Sequence, residues 1–300
     1  MDFIRKALVG GCRLDGRQID DPPRITVEPL VSAVAHGSCR VTFDDTVVVT
    51  TVTLCILYIN HPSICEYIYS SAYTPDAMQF TVTAPLKNTP DEGSIEITVG
   101  SSFTLEDTEV SQKRDERMAY VLELLEFQRQ RFDRRLLCIL PGQFVWNVKL
   151  HSSIVQRGGS VADAISVAII AALRTASIPN LHVLMRDEWA GTRSGSNVKV
   201  RLAEGYNLNI QNLALQIPVC VTVACVADTH VWAVTQEEAE CADGFLTVAV
   251  AQDGSCVGVR AIGSCLPMPI IAGLVEKSCK IGLYQHQQIA RAFEMTSGHK

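Results

Sequence analysis

Apolar and polar positions along the 300-residue chain sort into two cycles of strands followed by a helix. Runs rich in Val, Ile and Thr at Arg24 to Val27, Ser38 to Phe43 and Val47 to Leu54 predict a strand meander near the N-terminus, since β-branched side chains suit a pleated, half-buried surface. Residues 60–110 are less regular. Pro62, Pro75, Pro85 and Pro90 interrupt the pattern, and "NTPDEG" has the composition of an exposed loop. Apolar spacing predicts a helix from Lys113 to Phe132 with Met118, Val121, Leu122 and Leu125 on one face. Strands at Leu136 to Leu140 and Phe144 to Val155 follow, separated by Pro141-Gly142.

The clearest helix begins at Ser160, where "VADAISVAIIAALRTASI" carries so few polar residues that burial on most sides is expected. Ser160 suits an N-cap, and Asp163 supplies the acidic member of a capping-box-like pair three residues on. Past a polar loop at Trp189 to Asn197 the pattern repeats, with strands at Val198 to Leu202 and Ile217 to Ala227. A hairpin of Phe245 to Ala251 and Ser255 to Arg260 turns at Asp253-Gly254. A final helix, about Pro269 to Glu294, directs Ile271, Leu274, Val275 and Ile281 inward. Strands then helix, twice over, predict an α+β fold of two similar halves, 1–185 and 186–300, with central buried helices.

Composition narrows the class. A hydrophobic content of 47% is enough for a sizeable core. The longest apolar stretch, Val47 to Ile59, falls short of the roughly 20 residues of a membrane span, and the N-terminal stretch lacks the apolar region of a signal peptide. A net charge of −6 argues against a broadly polyanion-binding surface, so any nucleic-acid contact is confined to a local patch or to partner chains. The densest basic patch, "RQRFDRR" from Arg129 to Arg135, also fits the solvated end of an amphipathic helix. Eleven cysteines at irregular spacings, with no Cys-x-x-Cys, read as reduced thiols. Cys220-x4-Cys225-x4-His230 has a metal-like spacing, but strand alternation sends Cys220 and Cys225 to opposite faces.

Candidate chemistry centres on "QRGGSVADA", where Gly158, Gly159 and Ser160 open the helix. Free backbone N–H groups and a helix dipole favour an anion there. A reactive phosphate also needs a fixed arginine beside the turn, and Val161 follows the serine. Arg157 precedes the glycines, and Asp163 already places a negative charge in the first turn. A helix start with no ligand is the simpler account.

Five segments in register, "RLDGRQIDD", "HGSCRVTFDDTVVVTTV", "LLCILPGQFVWNVKL", "GGSVADAISVAIIAALRTASIP" and "IPVCVTVACV" continued by "AVTQEEAECADGFLTVAVAQDGSCVGV", resemble the RNase PH superfamily in order and spacing. The resemblance runs from about Phe3 to Ile289 and is strongest to non-catalytic ring subunits of the eukaryotic RNA exosome. It implies an RNase PH-like fold and an inactive subunit that supports 3′–5′ RNA processing and degradation, including rRNA processing and mRNA decay, by scaffolding and channelling RNA. Implied partners are other RNase PH-like subunits in a six-membered hetero-oligomeric ring, cap subunits with RNA-binding domains, a hydrolytic exonuclease and single-stranded RNA. Implied compartments are the nucleus, including the nucleolus, and the cytoplasm; no membrane, cofactor or metal is implied.

Active members carry Gly-Ser/Thr-Arg where this chain has Gly159, Ser160 and Val161, which implies a degenerate phosphate loop. They also place acidic side chains after the later strand to position a divalent ion. Here Ala233-Val234-Thr235 stands for the Asp-Pro-Thr usual in the non-catalytic type, with Glu237, Glu238 and Asp243 nearby. That acidic stretch reads as a solvated connection ending in an Asp-Gly turn. The family's Gly-x-Thr is Asp44-Asp45-Thr46, and His151 replaces an Asp, as a packing or surface residue. Arg114, Arg117, Arg129, Arg131, Arg134 and Arg135 become candidates for RNA backbone or partner contacts. Two other functions stay open: an active phosphate-dependent 3′–5′ exoribonuclease recruiting Arg157 or a partner's arginine, and a stand-alone RNA-binding scaffold.

Overall fold

A short helix, α1 (Asp2–Val9), precedes the first strands, β1 (Ile25–Pro29), β2 (Gly37–Phe43) and β3 (Thr46–Tyr58). The computed structural model describes residues 2–58, 65–67, 91–101, 134–140, 144–185, 198–209, 211–263 and 266–297. Next come β4 (Cys65–Tyr67), β5 (Ser94–Ser101), a 3₁₀ turn (Arg134–Leu137), β6 (Cys138–Leu140) and β7 (Phe144–Gln156). These strands form one seven-stranded sheet in the order β1-β2-β3-β7-β5, with β4 on β3 and β6 on β7. Among the described strands only β5 runs parallel to its neighbour, β7. The tight β2–β3 turn needs a left-handed residue, and Asp44 takes that place at φ 49°, a conformation Asp tolerates better than most side chains.

The chain continues with the central helix α2 (Val161–Thr175), β8 (Ser177–Met185), β9 (Val198–Asn209) and α3 (Gln211–Gln216). It then runs through β10 (Val219–Val226), β11 (Thr229–Trp232), α4 (Gln236–Glu240), β12 (Gly244–Val250), β13 (Cys256–Gly263) and α5 (Met268–Ser297). The second sheet has the order β11-β10-β12-β13, and β8 and β9 pair as a ribbon. The α+β architecture of two strand–helix halves around a buried central helix is therefore present.

One core serves both halves. Ile165, Ala168, Ile169 and Leu173 of α2 are fully buried, as are Val41, Val48 and Leu150 of the first sheet and Val219, Leu246 and Val248 of the second. Each such aliphatic side chain contributes about 1.5–3 kcal/mol relative to exposure, so apolar periodicity was enough to place these elements. A smaller core joins Leu8 of α1 to Val226, Val231, Ala239 and Phe245, so the N-terminal helix packs on the second half.

Several expectations change. The strand expected at Leu136 to Leu140 starts only at Cys138, since the preceding residues close a 3₁₀ turn. β5 is a regular strand inside the stretch expected to be irregular, α1 was not expected, and the central helix ends at Thr175, so that Ser177 and Ile178 open β8 and do not finish the helix. The helix expected at Lys113 to Phe132 and the loop at Trp189 to Asn197 lie outside the described residues. Of the residues expected inward on α5, Leu274 is buried and Ile271, Val275 and Ile281 are partly buried against the core. No described helix is long and apolar enough to cross a membrane.

Candidate functional site

The loop between β7 and α2 is pressed against another part of the chain. A methyl group at Gly159 would collide with the carbonyl oxygens of Val234 and Thr235, and one at Gly158 would collide with Thr46 Oγ1. The glycines permit close backbone approach. Ser160 is buried, and its hydroxyl donates to the Val234 carbonyl at 3.3 Å instead of accepting from the helix. No side-chain cap forms at this end of α2. Val161, where the resemblance implies an arginine in active members, is buried in the core. An anion seat needs converging donors; two carbonyl oxygens and a carboxylate-bearing first turn oppose one.

Asp163 also departs from the expected capping role. β11 pairs with β10 only over Val223–Val226, which leaves the preceding edge of β10 open. α2 supplies the missing acceptors: Ser166 Oγ takes the Cys220 N–H at 2.9 Å, and Asp163 takes the Thr222 N–H at 3.0 Å and its hydroxyl at 2.7 Å. Asp163 is 2% exposed. Burial pushes its pKa up to about 7, against the two hydrogen bonds from Thr222. The buried carboxylate therefore joins the central helix to the second sheet.

The acidic stretch after β11 is built differently from the solvated connection expected of it. Glu238 is 2% exposed and accepts from Arg13 Nε at 2.9 Å and Nη2 at 2.7 Å, a bidentate pair. Arg13 further donates to the carbonyls of Trp232 and Ala233. Arg17 donates to the same Ala233 carbonyl and to Asp44. Ala233 sits at φ 49°, a region an alanine rarely adopts, and the two guanidinium groups hold its carbonyl. Asp44 also accepts the Arg24 N–H at 3.0 Å. Asp243 is exposed and takes a second bidentate arginine, Arg5, with both contacts at 2.8 Å. The Arg5 hydrogen bonds, then the Ala227 N–H, hold its carboxyl below the usual range. Of these three acids, Glu237 remains plainly exposed.

These acids do not fit a divalent cation. Glu238 lies under Arg13 and Asp243 faces Arg5, so these two acids already face a fixed positive charge, and Glu237 alone is too few ligands. Among the described residues no group of three or more His, Cys, Asp or Glu is placed to hold a metal. Cys220 and Cys225 lie on opposite faces of β10, in separate packing environments. Burial raises the Cys220 thiol to about 12.

Arg114, Arg117, Arg129 and Arg131 lie outside the described residues. Arg134 and Arg135 open the 3₁₀ turn; Arg134 approaches Glu92 at 3.6 Å, and Arg135 is exposed. Arg157 is half-buried just beyond β7. His151 is a surface residue between Thr98 and Ser153. Pattern reading missed Arg5, Arg13 and Arg17 as anchors of the second half, because the contacts join residues more than 200 positions apart. One local signal was available: Thr235-x-x-Glu238 spells a capping box, and both of its hydrogen bonds form.

Comparison with known proteins agrees with this geometry. Residues 24–179 match the model of the 3′ exoribonuclease family, domain 1, and residues 216–281 match domain 2 of the same family. The chain is 26% identical over 262 residues to "Exosome complex component Rrp42" of Sulfurisphaera tokodaii, covering 86% of this chain and 81% of the relative. It is 25% identical over 295 residues to the Rrp42 of Methanosarcina mazei, covering 94% and 92%. Against the rrp45 component of Schizosaccharomyces pombe it is 23% identical over 274 residues, covering 89% and 80%. An archaeal exosome core has the same fold at TM-score 0.66 and 21% identity, covering 96% of this chain and 95% of that one. The chain belongs to the 3′ exoribonuclease, or RNase PH, family and is homologous to its exosome ring components.

Proposed function

We propose that this chain is a non-catalytic subunit of an exosome-type ring, which scaffolds RNase PH-like neighbours and helps guide RNA to 3′–5′ processing and degradation. The observation that carries this reading is the helix start: a buried valine stands in the arginine position, and carbonyl oxygens press on the glycine beside it. Phosphoryl transfer needs its anion clamp and its metal positioned together, and removing one such stabilising group costs orders of magnitude in rate. Here the acids are held by arginines of the same chain. Homology to archaeal Rrp42 and fission-yeast and plant Rrp45 components supports assembly with RNase PH-like partners. Cap subunits, a hydrolytic exonuclease, a division of the halves near residue 185 and a nuclear and cytoplasmic location belong to the same proposal.

Incubation of the purified chain with single-stranded RNA and inorganic phosphate is expected to release no nucleoside diphosphate above a protein-free control. Val161→Arg is expected to release none either, because the carbonyls of Val234 and Thr235 and the Asp163 carboxylate remain. Release that disappears in Asp243→Asn would instead make this chain an enzyme. Recovery from cells only as a monomer, read by native mass measurement, would remove the ring. The arginines from Arg114 to Arg135 are assigned to RNA or partner contacts. Replacing Arg134 and Arg135 by alanine in the assembled ring should lower the salt slope of RNA binding by about 0.7 per lost phosphate contact.

A further inference from the structure

Two cysteines that play no part in the site lie on the two elements that meet where α5 crosses the end of the second sheet. Cys256 opens β13 and is exposed; Cys279 lies on α5 and is half-buried against the main core. α5 comes unusually near the sheet here. A methyl group on Gly282 would fall within 2.5 Å of Val250 Cβ, so the helix backbone rests directly on that valine. His286 of α5 holds the Val250 carbonyl at 3.1 Å, which fixes the same crossing.

Val250 and Cys256 are cross-strand partners, so their side chains leave the sheet on the same face, the face that α5 covers. Cys279 precedes Gly282 by three residues and thus shares its face of the helix. Consistent with that placement, Cys256 follows burial among the causes that raise the Cys279 thiol.

We propose that Cys256 and Cys279 form an oxidisable thiol pair whose product is a disulfide pinning the free edge strand β13 to α5. The oxidant is a peroxide. It converts the exposed Cys256 thiol to a sulfenic acid with release of water, or of an alcohol from an organic peroxide. The Cys279 sulfur then attacks that sulfur, a second water leaves, and the S–S bond forms. Exposure assigns the first step to Cys256, and partial burial makes Cys279 the resolving thiol. Cys256 lies at the sheet edge, where the β-bulge between Ala249 and Val250 gives the strand start freedom to adjust to disulfide geometry.

The test oxidises the folded chain with a modest excess of hydrogen peroxide, stops the reaction with catalase, alkylates the remaining thiols and maps peptides without reduction. The expected result is a cross-linked peptide pair joining Cys256 to Cys279, with the loss of two hydrogen atoms. In Cys256→Ser the cross-link should vanish. In Cys279→Ser, Cys256 should accumulate as a sulfenic acid that dimedone traps. Cross-links that bypass either residue, or Cys256 passing to sulfinic acid while Cys279 stays alkylatable, would overturn the proposal.

Discussion

Two helix starts in this chain carry the same four-residue pattern and are built in opposite ways. Thr235-x-x-Glu238 closes a capping box at α4: Thr235 Oγ1 accepts the Glu238 N–H at 3.3 Å, and Glu238 Oε2 accepts the Thr235 N–H at 2.9 Å. Ser160-x-x-Asp163 does neither at α2, where the serine donates to Val234 and the acid turns to Thr222. α4 is five residues long and relies on its cap, whereas α2 is held by burial around nearly its whole circumference. Polar side chains at a packed helix start are therefore free to satisfy other elements. The two starts also touch, since the residues before α4 are the ones Gly159 and Ser160 pack against.

The sharpest way to break this arrangement is at Glu238, whose carboxylate serves both the cap and Arg13. The Arg13 side chain is fully buried and that of Glu238 is 3% exposed, so removing one partner strands a buried charge. Glu238→Ala or Arg13→Ala should lower stability by about 3–5 kcal/mol, read as a shift in the urea midpoint. The joint replacement Arg13→Met with Glu238→Leu should cost less than either alanine variant, because no unpaired charge remains. A cost near zero for Glu238→Ala would mean that the N-terminal segment does not clamp the second half.

Asp163 is the next lever. Asp163→Ala leaves the Thr222 N–H without its acceptor and should cost about 1–3 kcal/mol. Asp163→Asn keeps an acceptor for that N–H and should cost less near neutral pH. The pH dependence separates the two effects. Burial raises this carboxyl to about 7 from 3.8, against the Thr222 hydrogen bonds. Between those values the folded chain holds a proton that the unfolded chain has released. Stability from this group is therefore full below about pH 4, declines as pH rises toward about 7 and levels off above it. Asp163→Asn should flatten that slope in urea titrations across this range; an unchanged slope would mean that Asp163 is ionised throughout.

The two helix starts also mark how far the sequence could be read. The strands at Ser38 to Phe43 and Val47 to Leu54, the buried α2 and the hairpin around Asp253-Gly254 follow from local periodicity and turn chemistry, which act within a few residues. The resemblance to RNase PH proteins was carried by short segments whose order the fold preserves. The polar wiring was less legible. Arg13 meets Glu238 across 225 positions of sequence and Asp163 meets Thr222 across 59, and no local pattern records such partners. Glu237, Glu238 and Asp243 looked alike in sequence, yet one is a plain exposed acid, one a buried anchor and one an exposed partner of Arg5.

The smallest effects compare the caps themselves. Thr235→Ala removes an acceptor from a short helix that has little else at that end, and should cost about 1 kcal/mol. Ser160→Ala removes only a donor to a carbonyl at 3.3 Å, longer than a strong O–H···O bond, so about 0.5 kcal/mol or less is expected. Equal losses from the two variants would show that Ser160 caps α2 in solution. In that case its hydroxyl would turn from Val234 toward the helix, and the packing between the glycine loop and the residues before α4 would loosen. Amide exchange at Thr235 and Gln236 would then be nearly unchanged in Ser160→Ala, whereas removing a serine that serves Val234 should raise exchange there.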